Sequence, residues 1–169
     1  MTKVALRIFS IKLLKITYQI AKLINGKNPR AKTEERKMAN TSVIVIPEGK
    51  ICDYVDGKFR NDTPEEYVRQ TIEKRLVNEH KYLPKQIRIE YTLQLGSRKP
   101  RADIVIFDKD CGEQTQENIK IIIECKKEAV EARNAKDGVE QLKSYMSACP
   151  NCEWGMWTNG RQKEVYHKY

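Results

Sequence analysis

Acidic residues are missing from the first 33 positions of this 169-residue chain, where Lys3, Arg7, Lys12, Lys15, Lys22, Lys27, Arg30 and Lys32 all occur. Of 32 Lys and Arg in all, 24 remain from Glu34 onward against 23 Asp and Glu, so the formal net charge of +9 is almost entirely that of the leading segment. The charge total therefore does not by itself make the body a nucleic-acid binder. No GxxxxGK[ST] stretch is present, which excludes a P-loop nucleotide site. Internal repeats and low-complexity stretches are absent too. Only two histidines, His80 and His167, occur, and the Cys149-Pro-Asn-Cys152 pair has no second CxxC, so a four-ligand structural zinc site is not supplied. An odd count of five cysteines without a secretion signal points to free thiols in a reducing cytoplasm. The length suits one domain with an appendage and excludes a motor or polymerase acting alone.

What the leading segment does contain is a stripe. Leu6, Phe9, Leu13, Ile16, Ile20 and Leu23 recur at spacings of three and four, with Lys12, Lys15, Gln19 and Lys22 opposite. That is an amphipathic helix, suited to a membrane surface, a partner, or the surface of the domain itself. Arg7, Lys12, Lys15 and Lys22 exclude a stable membrane span and interrupt any signal-peptide core. Met38 before Ala39 fits a start, which would make residues 1–37 a basic extension and 38–169 the domain.

The body opens with a strand-like run at 43–46 and a turn at 47–49. Asn-Asp-Thr-Pro-Glu-Glu at 61–66 is a helix start: Thr63 as N-cap, Pro64 at the first helical position, Glu66 completing a capping box. Tyr67, Val68, Ile72, Leu76 and Val77 supply the apolar face. Residues 87–95 alternate as a half-exposed strand does. The basic turn 96–100 leads to 102–107, apolar on both faces but for Asp103, and after a polar loop 119–125 repeats that pattern with Glu124. A second amphipathic helix is expected over 135–148, with Val139, Leu142, Tyr145 and Met146 on one side. A core strand at 154–158 and an Asn159-Gly160 turn follow. The fold class is α/β, a mixed central sheet flanked by helices in the order αβββαβ.

Asp103 and Glu124 are the informative residues. An ionised carboxylate buried unpaired in an apolar strand costs several kcal/mol, so each must sit at a strand end beside a cation. Lys126 stands two residues beyond Glu124, on the same face of a continuing strand. Two carboxylates and an ammonium make a hard-oxygen pocket suited to Mg²⁺, or else an ion pair at a sheet edge. The spacing, inside this order of elements, favours the pocket. Arg98, Lys99 and Arg101 are the one basic cluster of the body and suit phosphate contacts.

Asp103, a loop and Glu124-Cys-Lys126 resemble the PD-(D/E)xK nuclease motif, and Gln141-Leu-Lys-Ser-Tyr145 its QxxxY extension. With Thr63-Pro-Glu-Glu-Tyr-Val-Arg-Gln70 and Thr158-Asn-Gly160, residues 61–160 resemble the N-terminal nuclease domain of the R subunit of type I restriction enzymes. The resemblance implies a restriction-endonuclease-like core, Mg²⁺ held by Asp103, Glu124 and the Cys125 carbonyl, and a Lys126 that orients the attacking water. It also implies Gln141 and Tyr145 at DNA phosphate or steadying that lysine, and Glu66, ahead of Glu65 and Glu73, as a first-helix acid, a role its capping box explains equally well. The implied partners are double-stranded DNA and the methylase, specificity and motor subunits of a restriction system. R subunits continue into an ATP-driven translocase, whereas this sequence ends soon after the last core strand. A catalytically idle DNA-binding or interaction domain left from a truncated R subunit is therefore the alternative. A related iron–sulfur exonuclease would use Cys52, Cys149 and Cys152 but needs a further cysteine downstream.

Overall fold

The structure is a computed structural model that describes residues 45–168 except 135. The expected helix in residues 1–37 and the start of the strand-like run at Val43 lie outside the described residues. Val45 and Ile46 belong to no strand, and the turn at 47–49 closes with the Lys50 N–H on the Pro47 carbonyl at 3.2 Å.

A short antiparallel hairpin comes first, β1 (Lys50–Cys52) with β2 (Phe59–Asn61), where the sequence shows no long apolar run. Helix α1 (Pro64–Asn78) starts where its residues dictate: Thr63 is extended, and its hydroxyl accepts the Glu66 N–H at 3.2 Å. The other half of the capping box is not made. The Glu66 carboxylate turns instead to Arg69 and Gln70. Tyr67 is also not core but 69% exposed, and α1 buries Glu66, Arg69, Gln70 and Glu73 beside Ile72 and Leu76. One stripe of this helix is apolar and the adjoining stripe is ionic.

Five strands form one sheet in the order β3 (Ile87–Thr92), β4 (Arg101–Phe107), β5 (Ile119–Cys125), β6 (Trp154–Thr158) and β7 (Lys163–His167). All neighbours are antiparallel except β5 and β6, whose parallel pairing requires the crossover that α2 (Val139–Ala148) supplies. The sequence order α1-β3-β4-β5-α2-β6 is the one expected, β7 follows the expected hairpin turn at Asn159-Gly160, and the β1–β2 hairpin is added. Isoleucines on β4 and β5 pack toward Ile72 and Leu76 of α1, while Val105, Phe107, Ile122 and Trp157 pack with Leu142, Tyr145 and Met146 of α2. A sheet apolar on both faces explains the continuous apolar runs of β4 and β5.

Helix α2 begins four residues later than the expected 135. Asn134 side-chain Oδ1 accepts the N–H groups of Lys136 and Asp137, both at 2.9 Å, in a turn that competes with helix. Gly138 then serves as N-cap, and any Cβ there would collide with the carbonyls of Ala132 and Asn134. At its other end, α2 offers its last carbonyls to Lys168 Nζ, 3.3 Å from that of Met146 and 3.2 Å from that of Cys149. Cys149 and Cys152 lie in the core beneath α2, where burial pushes their thiols up to about 12 and about 11. All five cysteines are unpaired. Among the described residues no helix is long and apolar enough to cross a membrane.

Candidate active site

Strands β4 and β5 run out of ladder at Ile104 and Ile123, the last registered pair toward the site. Asp103 and Glu124 take over from there. Glu124 Oε1 accepts the Asp103 N–H at 3.2 Å, and Asp103 Oδ2 accepts the Cys125 N–H at 2.8 Å. Each carboxylate thus satisfies a backbone donor that the end of the ladder would leave unpaired. Lys126 leaves β5 with its N–H on the Thr158 carbonyl at 2.8 Å and folds its ammonium to within 3.3 Å of Glu124 Oε2.

Burial dominates the electrostatics of this trio. Desolvation raises the Asp103 carboxyl against the pull of Lys126 and the Cys125 N–H. Glu124, fully buried, is pushed up to about 8 by desolvation and then by the Asp103 charge, with Lys126 opposing. For Lys126 desolvation works downward, but Glu124 and Asp103 outweigh it and the ammonium is held above its ordinary value. Two carboxylates raised by burial beside a single ammonium are short of positive charge. They are the pair of side chains that could hold a divalent cation. Among the described residues no group of three or more His, Cys, Asp or Glu is arranged to hold a metal ion.

Asp103 opens onto a cleft of about 550 Å³. Gln141 and Tyr145, one turn apart on α2, form one wall, and the Gln141 amide donates to the Tyr145 hydroxyl at 2.7 Å. Tyr145 is at once core and cleft wall, 5% exposed, its hydroxyl raised first by burial. Gln141 Oε1 is buried without a hydrogen-bond partner. Arg101 lines the same cleft, paired with Glu90 at 3.1 Å, while Arg98 lines a neighbouring cleft of about 330 Å³ that shares Gln141 and Tyr145. Lys99 is exposed in the turn between them. Cys125 is fully buried, its thiol pushed well above the ordinary value by desolvation.

Glu66 reaches the cleft wall, but both of its oxygens are engaged: one by Gln70 at 3.0 Å, the other by Arg69 in a short ion pair. Its neighbour Glu65 is half-buried, lines the same cleft, and is the first-helix acid whose charge acts on both Asp103 and Lys126. The sequence expectation ranks Glu66 ahead of Glu65; the structure reverses that order, because which of two adjacent acids faces the sheet depends on how α1 is rotated. Sequence reasoning also missed Arg69, which gathers Glu66, Glu73 at 3.7 Å and Glu90 at 3.3 Å. The i,i+3 and i,i+4 spacings of Arg69 with Glu66 and Glu73 carried that signal. Glu90 carried none. It stands between the pairs Ile89–Ile104 and Tyr91–Ala102, hence opposite Asp103, with a φ of +53° that a residue other than glycine seldom adopts.

A family described as type I restriction enzyme R protein N terminus matches residues 64–169, more than half of the chain. Comparison with curated proteins gave no match, and neither did comparison with solved structures.

Proposed function

The chain belongs to the family of type I restriction enzyme R protein N-termini, and from that membership we propose that it is a Mg²⁺-dependent DNA endonuclease module hydrolysing phosphodiester bonds. The observation that carries this reading is the meeting of Asp103 and Glu124 across the end of the β4–β5 ladder, with the buried Lys126 ammonium on Glu124 and Asp103 opening onto the cleft. A restriction-endonuclease-like core of the PD-(D/E)xK kind is part of the same reading. The order α1-β3-β4-β5-α2-β6 and the parallel β5–β6 pair support it.

Mg²⁺ suits the donors present, which are hard oxygens of two carboxylates set against a single ammonium. A site with two protein carboxylates is ordinary for this ion, which fills its other positions with water and phosphate oxygen. Asp103 and Glu124 would hold it, the Cys125 carbonyl would add a ligand, and Glu65 supplies a further carboxylate at the cleft wall. When bound, the ion supplies Lewis-acid stabilisation of the phosphate charge and a water of lowered pKa.

The protein's own groups do the rest. Lys126 sets a positive charge beside the scissile phosphate and orients the attacking water. The Gln141–Tyr145 pair presents an amide and a hydroxyl to the phosphate backbone from α2. Arg98, Lys99 and Arg101 contact flanking phosphates, which positions DNA without reading its sequence. The partners are double-stranded DNA and the methylase, specificity and motor subunits of a restriction system, in a reducing cytoplasm that keeps the five thiols free.

The test is incubation of the purified chain with supercoiled plasmid and Mg²⁺ or Mn²⁺, beside Asp103→Ala and Lys126→Ala. Nicking by the wild type alone supports the reading. Equal nicking by all three signals a contaminant. DNA retardation in a gel without cleavage by any of them favours the alternative, a catalytically idle DNA-binding domain.

A further inference from the structure

The β1–β2 hairpin lies before residue 64, where the family match begins, yet it builds one wall of the cleft through Lys50, Phe59, Arg60 and Asn61. It is held firmly. Gln70 on α1 donates to the Cys52 carbonyl at 3.1 Å, and the Tyr54 hydroxyl donates to Asn78 Oδ1 at 3.1 Å. Inside the turn, buried Asp53 accepts the Val55 and Asp56 N–H groups at 2.9 Å each. Arg60 clamps Asp56 through two bonds of 2.8 Å and reaches Asp53 at 2.8 Å. That clamp holds the Asp56 carboxyl well below, and the Arg60 guanidinium well above, their ordinary values.

A brace of this kind needs no aromatic residue facing outward. Phe59 nevertheless remains 44% exposed, and it is the exposed one of the two aromatic residues lining the cleft, Tyr145 being 5% exposed. Beside it, Lys50 is fixed by its ammonium on Asn61 Oδ1 at 2.6 Å. An exposed ring next to a positioned cation, on the hairpin wall of a cleft whose acids Glu65, Glu66, Glu90 and Asp103 lie on its other elements, is complementary to a nucleotide: the ring to a base face, the ammonium to its phosphate. Bases paired and stacked in an intact duplex do not present that face.

We infer that the hairpin is a nucleotide clamp in which Phe59 stacks on an unpaired DNA base and Lys50 holds the adjoining phosphate, so that on double-stranded DNA the cleft engages a locally opened strand in preference to the intact helix. This rests on the endonuclease reading of the same cleft and names its substrate class.

The full chain, in EDTA to suppress cleavage, is titrated into a single-stranded oligonucleotide containing 2-aminopurine and into the corresponding duplex. Stacking on Phe59 quenches the probe. The expected result is tighter binding of the single strand, and for Phe59→Ala a loss of quenching with affinity weakened about tenfold, as when one base loses its aromatic partner. Phe59→Tyr restores both, which separates stacking from a structural effect. Unchanged quenching and affinity in Phe59→Ala overturn the clamp, as does a wild type that binds duplex better. Asp103-dependent plasmid nicking, measured on the same preparations, shows whether the endonuclease reading stands when the clamp fails.

Discussion

Asp103 and Glu124 exchange backbone donors: each carboxylate accepts an N–H from the other's strand, at 2.8 Å from Cys125 and 3.2 Å from Asp103 itself. The arrangement fixes both side chains through backbone donors. It pins two acids at the end of a ladder, where desolvation raises both and the Asp103 charge raises Glu124 further.

Asp103→Asn keeps an oxygen for the Cys125 N–H and removes the repulsion. In EDTA at pH 8 this variant is expected to melt above the wild type, and Mg²⁺ at about ten times its dissociation constant is expected to stabilise the wild type by about 1.4 kcal/mol and to leave the variant unmoved. Thermal melts with and without Mg²⁺ check both effects. An equal shift in the two proteins would remove Asp103 from the metal site.

Glu73 has no exposed surface, and neither of its oxygens has a hydrogen-bond partner among the described residues. Desolvation and then the Asp53 charge push its carboxyl up to about 8, with Arg69 opposing. A raised acid means the folded state binds more protons than the unfolded one between about 4.5 and about 8. Stability is therefore highest at the acid end of that window and falls as pH rises through it, by about 1.4 kcal/mol per unit at most. Melting temperature of the wild type is expected to drop from pH 5 to pH 8.5. Glu73→Gln, which cannot charge, drops visibly less. Parallel curves would show that the Glu73 carboxyl is not the group responsible.

Much of this architecture is legible in the chain itself. The Thr63-Pro64 start, the acid-interrupted runs of β4 and β5 and the α2 stripe follow from local preference and burial pattern, and the structure keeps all three. The motif acids are readable because a carboxylate in an apolar strand has few innocent explanations. What could not be read is tertiary. Tyr67 sits at a helical core spacing, but the neighbouring network around Arg69 takes the interior position. The three-residue strands β1 and β2 are too short to show a period, and which acid of the Glu65–Glu66 pair faces Asp103 depends on the rotation of α1. Residues 134–138 have the pattern of a helix but the hydrogen-bonding chemistry of an Asx turn.

Gly155 on β6 sits against Met146 and Leu142, and a Cβ there would meet the Met146 side chain and come within 3.2 Å of a Leu142 methyl. The glycine sets how closely α2 approaches the sheet, and through α2 it sets where Gln141 and Tyr145 stand in the cleft. Gly155→Ala is expected to cost about 1–3 kcal/mol, the usual penalty of an added methyl in a filled core. Urea unfolding measures the loss. Met146→Ala in the same chain should recover part of it, since the two substitutions share one space. Additive losses would mean that the helix had already moved away.

Glu65 and Glu66 are adjacent in sequence and opposite in duty. Glu66 is 6% exposed and holds Arg69 and Gln70, so Glu66→Gln strips an ion-pair partner from a buried guanidinium and is expected to destabilise the fold by about 3 kcal/mol. Glu65 holds neither and turns its charge on Asp103 and Lys126. Glu65→Gln is therefore expected to melt at or above the wild-type temperature in EDTA, because a carboxylate leaves an already acidic cleft. In Mg²⁺ the same variant is expected to bind the ion more weakly and nick plasmid more slowly, with part of the rate restored by raising Mg²⁺. Chemical denaturation and a Mg²⁺ titration of the nicking rate, run on both variants, separate the two roles. Should Glu66→Gln prove stable with its nicking impaired and Glu65→Gln behave as wild type, the acid that serves the cleft is Glu66, and Arg69 is its holder rather than a structural clasp.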